Sequence, residues 1–138
     1  MKNKIAMIGC GGIAEFHAKA FKAAGLEIVA VAGQNNSDKA NTFAKRFNIK
    51  DVWKNPIDLA SQKSPYIDGF LIAIPIDDKT TLKYLKIILE NKMPALFEKP
   101  LVVNYKKLQN INFKKNKIIL GYNRRFYKSI QEAKKIYQ

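Results

Sequence analysis

The chain has 138 residues, 47% hydrophobic and 26% charged, the size and composition of one folded domain rather than a disordered polymer. A single Cys10 excludes an internal disulfide framework, and no apolar run reaches the ~18 residues of a membrane span. The net charge is +14, from 25 basic and 11 acidic residues, which raises the question of an anionic partner.

The first element is a buried strand, Lys4–Gly9, whose Ile-Ala-Met-Ile run ends in Gly. It is too short for the core of a signal peptide, and no small-residue cleavage site follows. Gly12–Gly25 reads as a helix with Ile13, Phe16, Ala20, Phe21 and Ala24 on its inner face and Gly25 as its stop. Glu27–Gly33 is a second apolar strand. Ser37 is the expected N-cap of a helix to about Phe47, with Ala40, Phe43, Ala44 and Phe47 inward. Asp51–Trp53 is a short strand, and Pro56–Gln62 opens with a Pro where a helix accepts one. Asp68–Ile74 is the most apolar strand. Asp77 and Asp78 precede a helix to about Asn91, with Leu82, Leu85, Ile88 and Leu89 inward. Met93–Phe97 is another strand, Tyr105–Ile111 a short helix and Lys117–Tyr122 a last strand. Arg124–Tyr137 is a last helix, with Phe126, Ile130, Ala133 and Tyr137 inward.

Strands and helices alternate, and the strands are apolar without alternation, so they are covered on both faces. The expected fold is α/β: a doubly wound, mostly parallel Rossmann sheet with helices on both faces, in a single domain.

Gly9-Cys10-Gly11-Gly12-Ile13-Ala14 fits the pattern G-x-G-x-x-G/A between a strand and a helix. Gly9 serves the tight turn, and Gly11 lets the backbone approach a pyrophosphate. Gly12 and Ile13 open a helix whose N-terminus offers free N–H donors, and Ala14 allows close helix–strand packing. The ligand expected is a dinucleotide. Cys10 reads as a packing residue and His17, the only His, as a structural hydrogen-bonding group; no metal site is expected. An NAD site usually carries Asp or Glu at the end of the second strand, on the ribose 2′-hydroxyl. Counting 19 residues from Ala14 lands instead on Gly33, followed by Gln34, Ser37 and Lys39. Without a carboxylate a 2′-phosphate is not repelled, and Ser37 and Lys39 can contact it. NADP is therefore favoured over NAD.

Four blocks together resemble the glucose–fructose oxidoreductase/inositol dehydrogenase/MocA-like (Gfo/Idh/MocA) family: Gly9 to Ala20, Ala73-Ile74-Pro75, Glu98-Lys99-Pro100 and Gly121-Tyr122-Asn123-Arg124-Arg125-Phe126. The resemblance implies an NAD(P)-binding Rossmann domain over residues 1–122. Residues 123–138 would form a terminal helix leading toward a C-terminal substrate domain that this chain lacks. It further implies hydride transfer to or from an alcohol or carbonyl on a sugar- or cyclitol-like substrate. Lys99 is implied as the catalytic cation beside the reacting oxygen, with Glu98 near the nicotinamide ribose and Arg125 near the nicotinamide end or the substrate. Ile74 and Pro75 would line the cofactor, and Lys79 stands where the family often has His. Pro100 follows a cis peptide in the family. An alternative is a non-catalytic cofactor-binding module or a subunit completed in trans by another chain. An uncovered final helix or open sheet flank would invite a homo-oligomer.

From Lys99 onward there are eleven basic residues and one acid, Glu132. No nucleic-acid motif accompanies them, and 22 Lys with 12 Asn fit AT-rich coding, so nucleic acid and membrane are not expected partners. The single Cys10 and the missing leader pattern point to a cytoplasmic protein.

Overall fold

In the computed structural model, which describes residues 3–34, 38–62, 66–113 and 117–136, six strands form one parallel sheet. They are β1 (Lys4–Ile8), β2 (Glu27–Ala32), β3 (Asp51–Trp53), β4 (Gly69–Ile72), β5 (Ala95–Phe97) and β6 (Ile118–Leu120), in the order β3-β2-β1-β4-β5-β6. Five α-helices connect or follow them: α1 (Gly12–Ala23), α2 (Asp38–Phe47), α3 (Pro56–Ala60), α4 (Asp78–Glu90) and α5 (Lys128–Ile136). Short 3-10 turns cover Tyr105–Leu108 and Asn123–Phe126. This is the Rossmann strand order, with the chain reversing direction across the sheet at β1.

Strand alternation divides the core in two. Ala6, Ile8, Phe70, Ile72 and Phe97 pack with Leu59 of α3 and Tyr84, Leu85 and Ile88 of α4. Met7, Val31 and Leu71 pack on the other face with Ala14 and Ala18 of α1 and Phe43, Ala44 and Phe47 of α2. The central strands are thus covered on both faces and read as continuous apolar runs, while the edge strands β3 and β6 leave Val52 and Ile119 exposed. Leu85 and Ile88 are fully buried, and truncating either to Ala removes a packed side chain worth about 2–5 kcal/mol.

Two faces differ from the sequence expectation. On α1 the buried residues are Ala14 and Ala18, while Ile13 and Phe16 are 48% and 70% exposed and Ala20 and Ala24 face solvent. Of the expected stripe only Phe21 packs against the core. The helix lies close to the sheet, and close packing selects small side chains over bulky ones. The last helix does not run unbroken from Arg124. Its first residues form the 3-10 turn, Tyr127 is extended (φ −66°, ψ 138°), and α5 starts at Lys128. No described residue of α5 is buried, and Phe126 is 73% exposed. Tyr137, expected on its inner face, lies outside the described residues.

Candidate functional site

The site forms where β1 and β4 lie side by side and their exits diverge, the position at which open α/β sheets bind ligands. Gly9 leaves β1 with φ +107°, and its N–H donates to the Ala32 carbonyl at 2.8 Å. A Cβ there would stand 2.0 Å from the Ala73 carbonyl oxygen, so only Gly fits. On the other side the Ala73 N–H donates to the Ile8 carbonyl at 2.8 Å. The loop is thereby pinned to both neighbouring strands.

Gly11 is different. Its backbone is extended (φ −84°, ψ −177°), a conformation open to any residue, and a Cβ on Gly11 or Gly12 would meet nothing within 4 Å. The protein itself does not need glycine at these positions. Gly11 is the N-cap of α1 and offers no capping side chain, whereas Asn55 caps α3 and Asp77 caps α4. A bare helix N-terminus with open space before it suits a phosphate group.

The cleft measures about 530 Å³. Gly9, Cys10, Gly11 and Ile13 form its floor, Gln34 and Lys39 come from the β2 exit, and Ala73, Ile74 and Pro75 from the β4 exit. Among the described residues no carboxylate lines it, and Lys39 is its one cationic lining residue. The set fits a dinucleotide: backbone donors for the pyrophosphate, apolar walls for the rings and a polar end at Gln34 and Lys39.

The other expected site residues lie outside this lining. Gly12 is exposed on the first turn of α1, Ala14 is buried beneath it, and Gly33 is buried after β2. Lys79 is exposed on the first turn of α4. Ser37 lies outside the described residues. Glu98 and Lys99 follow β5, with Lys99 exposed and the Lys99–Pro100 peptide cis. The Glu98 N–H donates to the Ile72 carbonyl at 2.9 Å, holding this exit against β4. Arg125 follows β6 and is turned back onto the backbone: its guanidinium donates to the carbonyls of Leu120 and Tyr122 and lies 5.4 Å from the Phe126 ring. Cys10 is half-buried against the α1–α2 side of the core.

The hydrogen bond expected of His17 is present, and its partner is one that no local motif points to. His17 meets Glu98 at 2.7 Å, a link between residues 81 positions apart. Gly121 leaves room for the same carboxylate, because a Cβ there would stand 2.8 Å from Glu98 Oε1. Asp78 accepts from the backbone N–H of Val103 at 2.7 Å and Asn104 at 3.3 Å and pairs with the Lys107 ammonium at 3.0 Å. The Val103 amide, then the Lys107 ammonium, hold its carboxyl below the ordinary carboxylate value. Asp77 is lowered too, by its bonds from the Thr80 hydroxyl and N–H. Among the described residues no helix is long and apolar enough to cross a membrane.

The sequence model of the Gfo/Idh/MocA oxidoreductase family, described as having an NAD-binding Rossmann fold, matches residues 3–120. The chain belongs to this family. No match was found among the curated proteins. Among solved structures, a probable dehydrogenase from Thermotoga maritima superposes with a TM-score of 0.81 at 21% identity, over 97% of this chain and 40% of that one. A scyllo-inositol dehydrogenase from Lactobacillus casei, with NAD(H) and scyllo-inositol bound, gives 0.81 at 20% identity, over 99% and 41%. A 3-ketoreductase variant from Actinomadura kijaniata, in complex with TDP-benzene and NADP, gives 0.78 at 19% identity, over 99% and 42%. These identities establish a shared fold. The Gfo/Idh/MocA domain described here spans about 40% of the length of those chains.

Proposed function

We propose that this chain is the cofactor-binding part of an oxidoreductase that moves hydride between a nicotinamide dinucleotide and a sugar- or cyclitol-like alcohol or carbonyl. The observation that carries the reading is the glycine loop. Gly9 is demanded by the Ala73 carbonyl, whereas Gly11 and Gly12 face open space beside an uncapped helix N-terminus. A loop kept bare where the fold has no need of it is a loop that accommodates a ligand. Bound there, the dinucleotide would supply the hydride acceptor or donor. Gly11, Gly12 and Ile13 would hold its pyrophosphate, and Ile74 and Pro75 its apolar surfaces.

Lys99 is the proposed catalytic cation. It follows β5 with an exposed ammonium, and such a group stabilises oxyanion charge on a reacting carbonyl or relays its proton. Glu98, fixed by His17, orients the segment that carries Lys99. The polar end of the cleft favours NADP(H) over NAD(H), because Gly33 stands where a carboxylate would repel a 2′-phosphate and Gln34 and Lys39 line that end. The chain's setting is proposed to be the reducing cytoplasm.

Titration of the purified chain with NADPH and NADH, followed by nicotinamide fluorescence, tests both parts. Saturable binding of both, tighter for NADPH, is expected. Tighter NADH binding would sink the NADP preference, and absence of any binding would sink the function.

A further inference from the structure

A second cavity opens beside the dinucleotide cleft and shares Gln34 with it. It measures about 530 Å³ and lies between the β3 exit and α4. Its lining includes Gln34, Lys54, Thr80, Lys83 and Tyr84 and, among the described residues, no carboxylate. Neither Lys54 nor Lys83 has a carboxylate partner among the described residues.

Tyr84 is the telling residue. It is only 2% exposed, and its hydroxyl has no hydrogen-bond partner among the described residues. An unpartnered buried hydroxyl is unfavourable, and phenylalanine would fill the same volume without that cost. Burial holds the phenol above its ordinary value, so at neutral pH it is a donor. Two ammonium groups, a phenol and the Gln34 amide make a donor-rich lining, while the Thr80 hydroxyl is already given to the Asp77 carboxylate. That chemistry suits a doubly charged, acceptor-only group.

We propose that this cavity binds a phosphate monoester, with Lys54 and Lys83 as counter-charges and the Tyr84 hydroxyl donating to a phosphate oxygen. Two sources share this chemistry. One is the 2′-phosphate of NADP lying in the adjoining cleft, a case that rests on the function proposed above. The other is a separate phosphorylated metabolite.

Calorimetric titration of the full chain with inorganic phosphate, NADPH and NADH tests the site in the wild type, Tyr84→Phe, Lys83→Gln and Lys54→Gln. Tyr84→Phe removes one oxygen from a buried ring, so its fold is retained. Each substitution should weaken phosphate or NADPH binding about tenfold, the loss expected for a hydrogen bond or ion pair to a charged group. If the 2′-phosphate is the occupant, NADPH affinity falls, NADH affinity does not, and phosphate competes with NADPH. If a separate metabolite is the occupant, phosphate still binds under saturating NADPH and only its affinity falls. Phosphate and NADPH affinities untouched by all three substitutions would overturn the proposal. A wild type that binds phosphate but neither dinucleotide would overturn the proposed function and leave this site standing.

Discussion

Nε2 of His17 on α1 lies 2.7 Å from Oε1 of Glu98 at the end of β5, and both side chains are largely screened from water, 18% and 14% exposed. Behind that carboxylate stands Gly121, where a Cβ would come within 2.8 Å of the same oxygen. One carboxylate therefore joins the helix after the glycine loop, the segment of Lys99 and the exit of β6. Glu98 Oε2 also accepts from the Lys99 N–H at 3.1 Å.

Removing His17 should leave that carboxylate half-buried without its partner. His17→Ala is expected to lower stability by about 1–2 kcal/mol, and His17→Gln, which keeps a donor, to recover part of it. Gly121→Ala should push the Glu98 carboxylate off His17. In a double-mutant cycle, His17→Ala and Gly121→Ala should then be less than additive, because both break one bond. Additive losses in urea unfolding would show that the two residues do not act through Glu98.

The two loop glycines should separate under mutation. Gly9→Ala places a methyl 2.0 Å from the Ala73 carbonyl oxygen at φ +107° and should cost more than about 3 kcal/mol, enough to prevent recovery of folded protein. Gly11→Ala meets no protein atom within 4 Å, so its stability should stay within about 0.5 kcal/mol of the wild type. Its dinucleotide affinity should nevertheless fall, because the methyl occupies the space offered to the pyrophosphate. Unfolding curves and cofactor titrations on the same preparations distinguish these outcomes.

The sequence shows the sheet more clearly than the helix faces. Apolar strands and the turn at Gly9 reveal a parallel sheet because its central strands are buried on both sides. The inner face of α1 is concealed because Ala14 and Ala18, which touch the sheet, carry little hydrophobic signal, while the bulkier Ile13 and Phe16 point outward. The break at Tyr127 escapes a periodicity argument for another reason. Arg125 hydrogen-bonds the Leu120 and Tyr122 carbonyls, and spacing does not register a guanidinium turned back on its own chain. Within the site, the glycine loop and the residues after β2 and β4 are legible as local motifs. The His17–Glu98 contact, the space before Gly121 and the cavity at Tyr84 exist only once distant segments meet.

Cofactor choice should respond to the end of β2. Gln34 lines the cleft with Lys39, and among the described residues no carboxylate joins that lining. Gln34→Asp introduces an acceptor for a ribose 2′-hydroxyl and a negative charge against a phosphate. It should weaken NADPH binding and strengthen NADH binding, shifting their ratio by about tenfold or more, since a charged hydrogen bond gained and a like charge introduced act together. An unchanged ratio would place the adenosine end away from Gln34.

Acid should loosen the start of α4 before it loosens the sheet. Asp77 caps that helix through Thr80, and Asp78 ties it to the segment of Val103, Asn104 and Lys107. Both carboxyls titrate below the ordinary value in the folded chain, through hydrogen bonds for Asp77 and through the Val103 amide and Lys107 for Asp78. The unfolded chain therefore binds protons first as pH falls. The stability contributed by these groups is present above their unfolded pKa of about 4 and is lost as pH drops through their lower folded values. Asp77→Asn keeps a capping oxygen and Asp78→Asn keeps one acceptor, but neither titrates. Their deficit relative to wild type should be full near pH 6 and shrink near pH 3, on scales set by the carboxylate pKa of about 4. Urea unfolding across that range measures it, and a deficit that does not change with pH would show that these carboxylates stabilise the helix without being titrated.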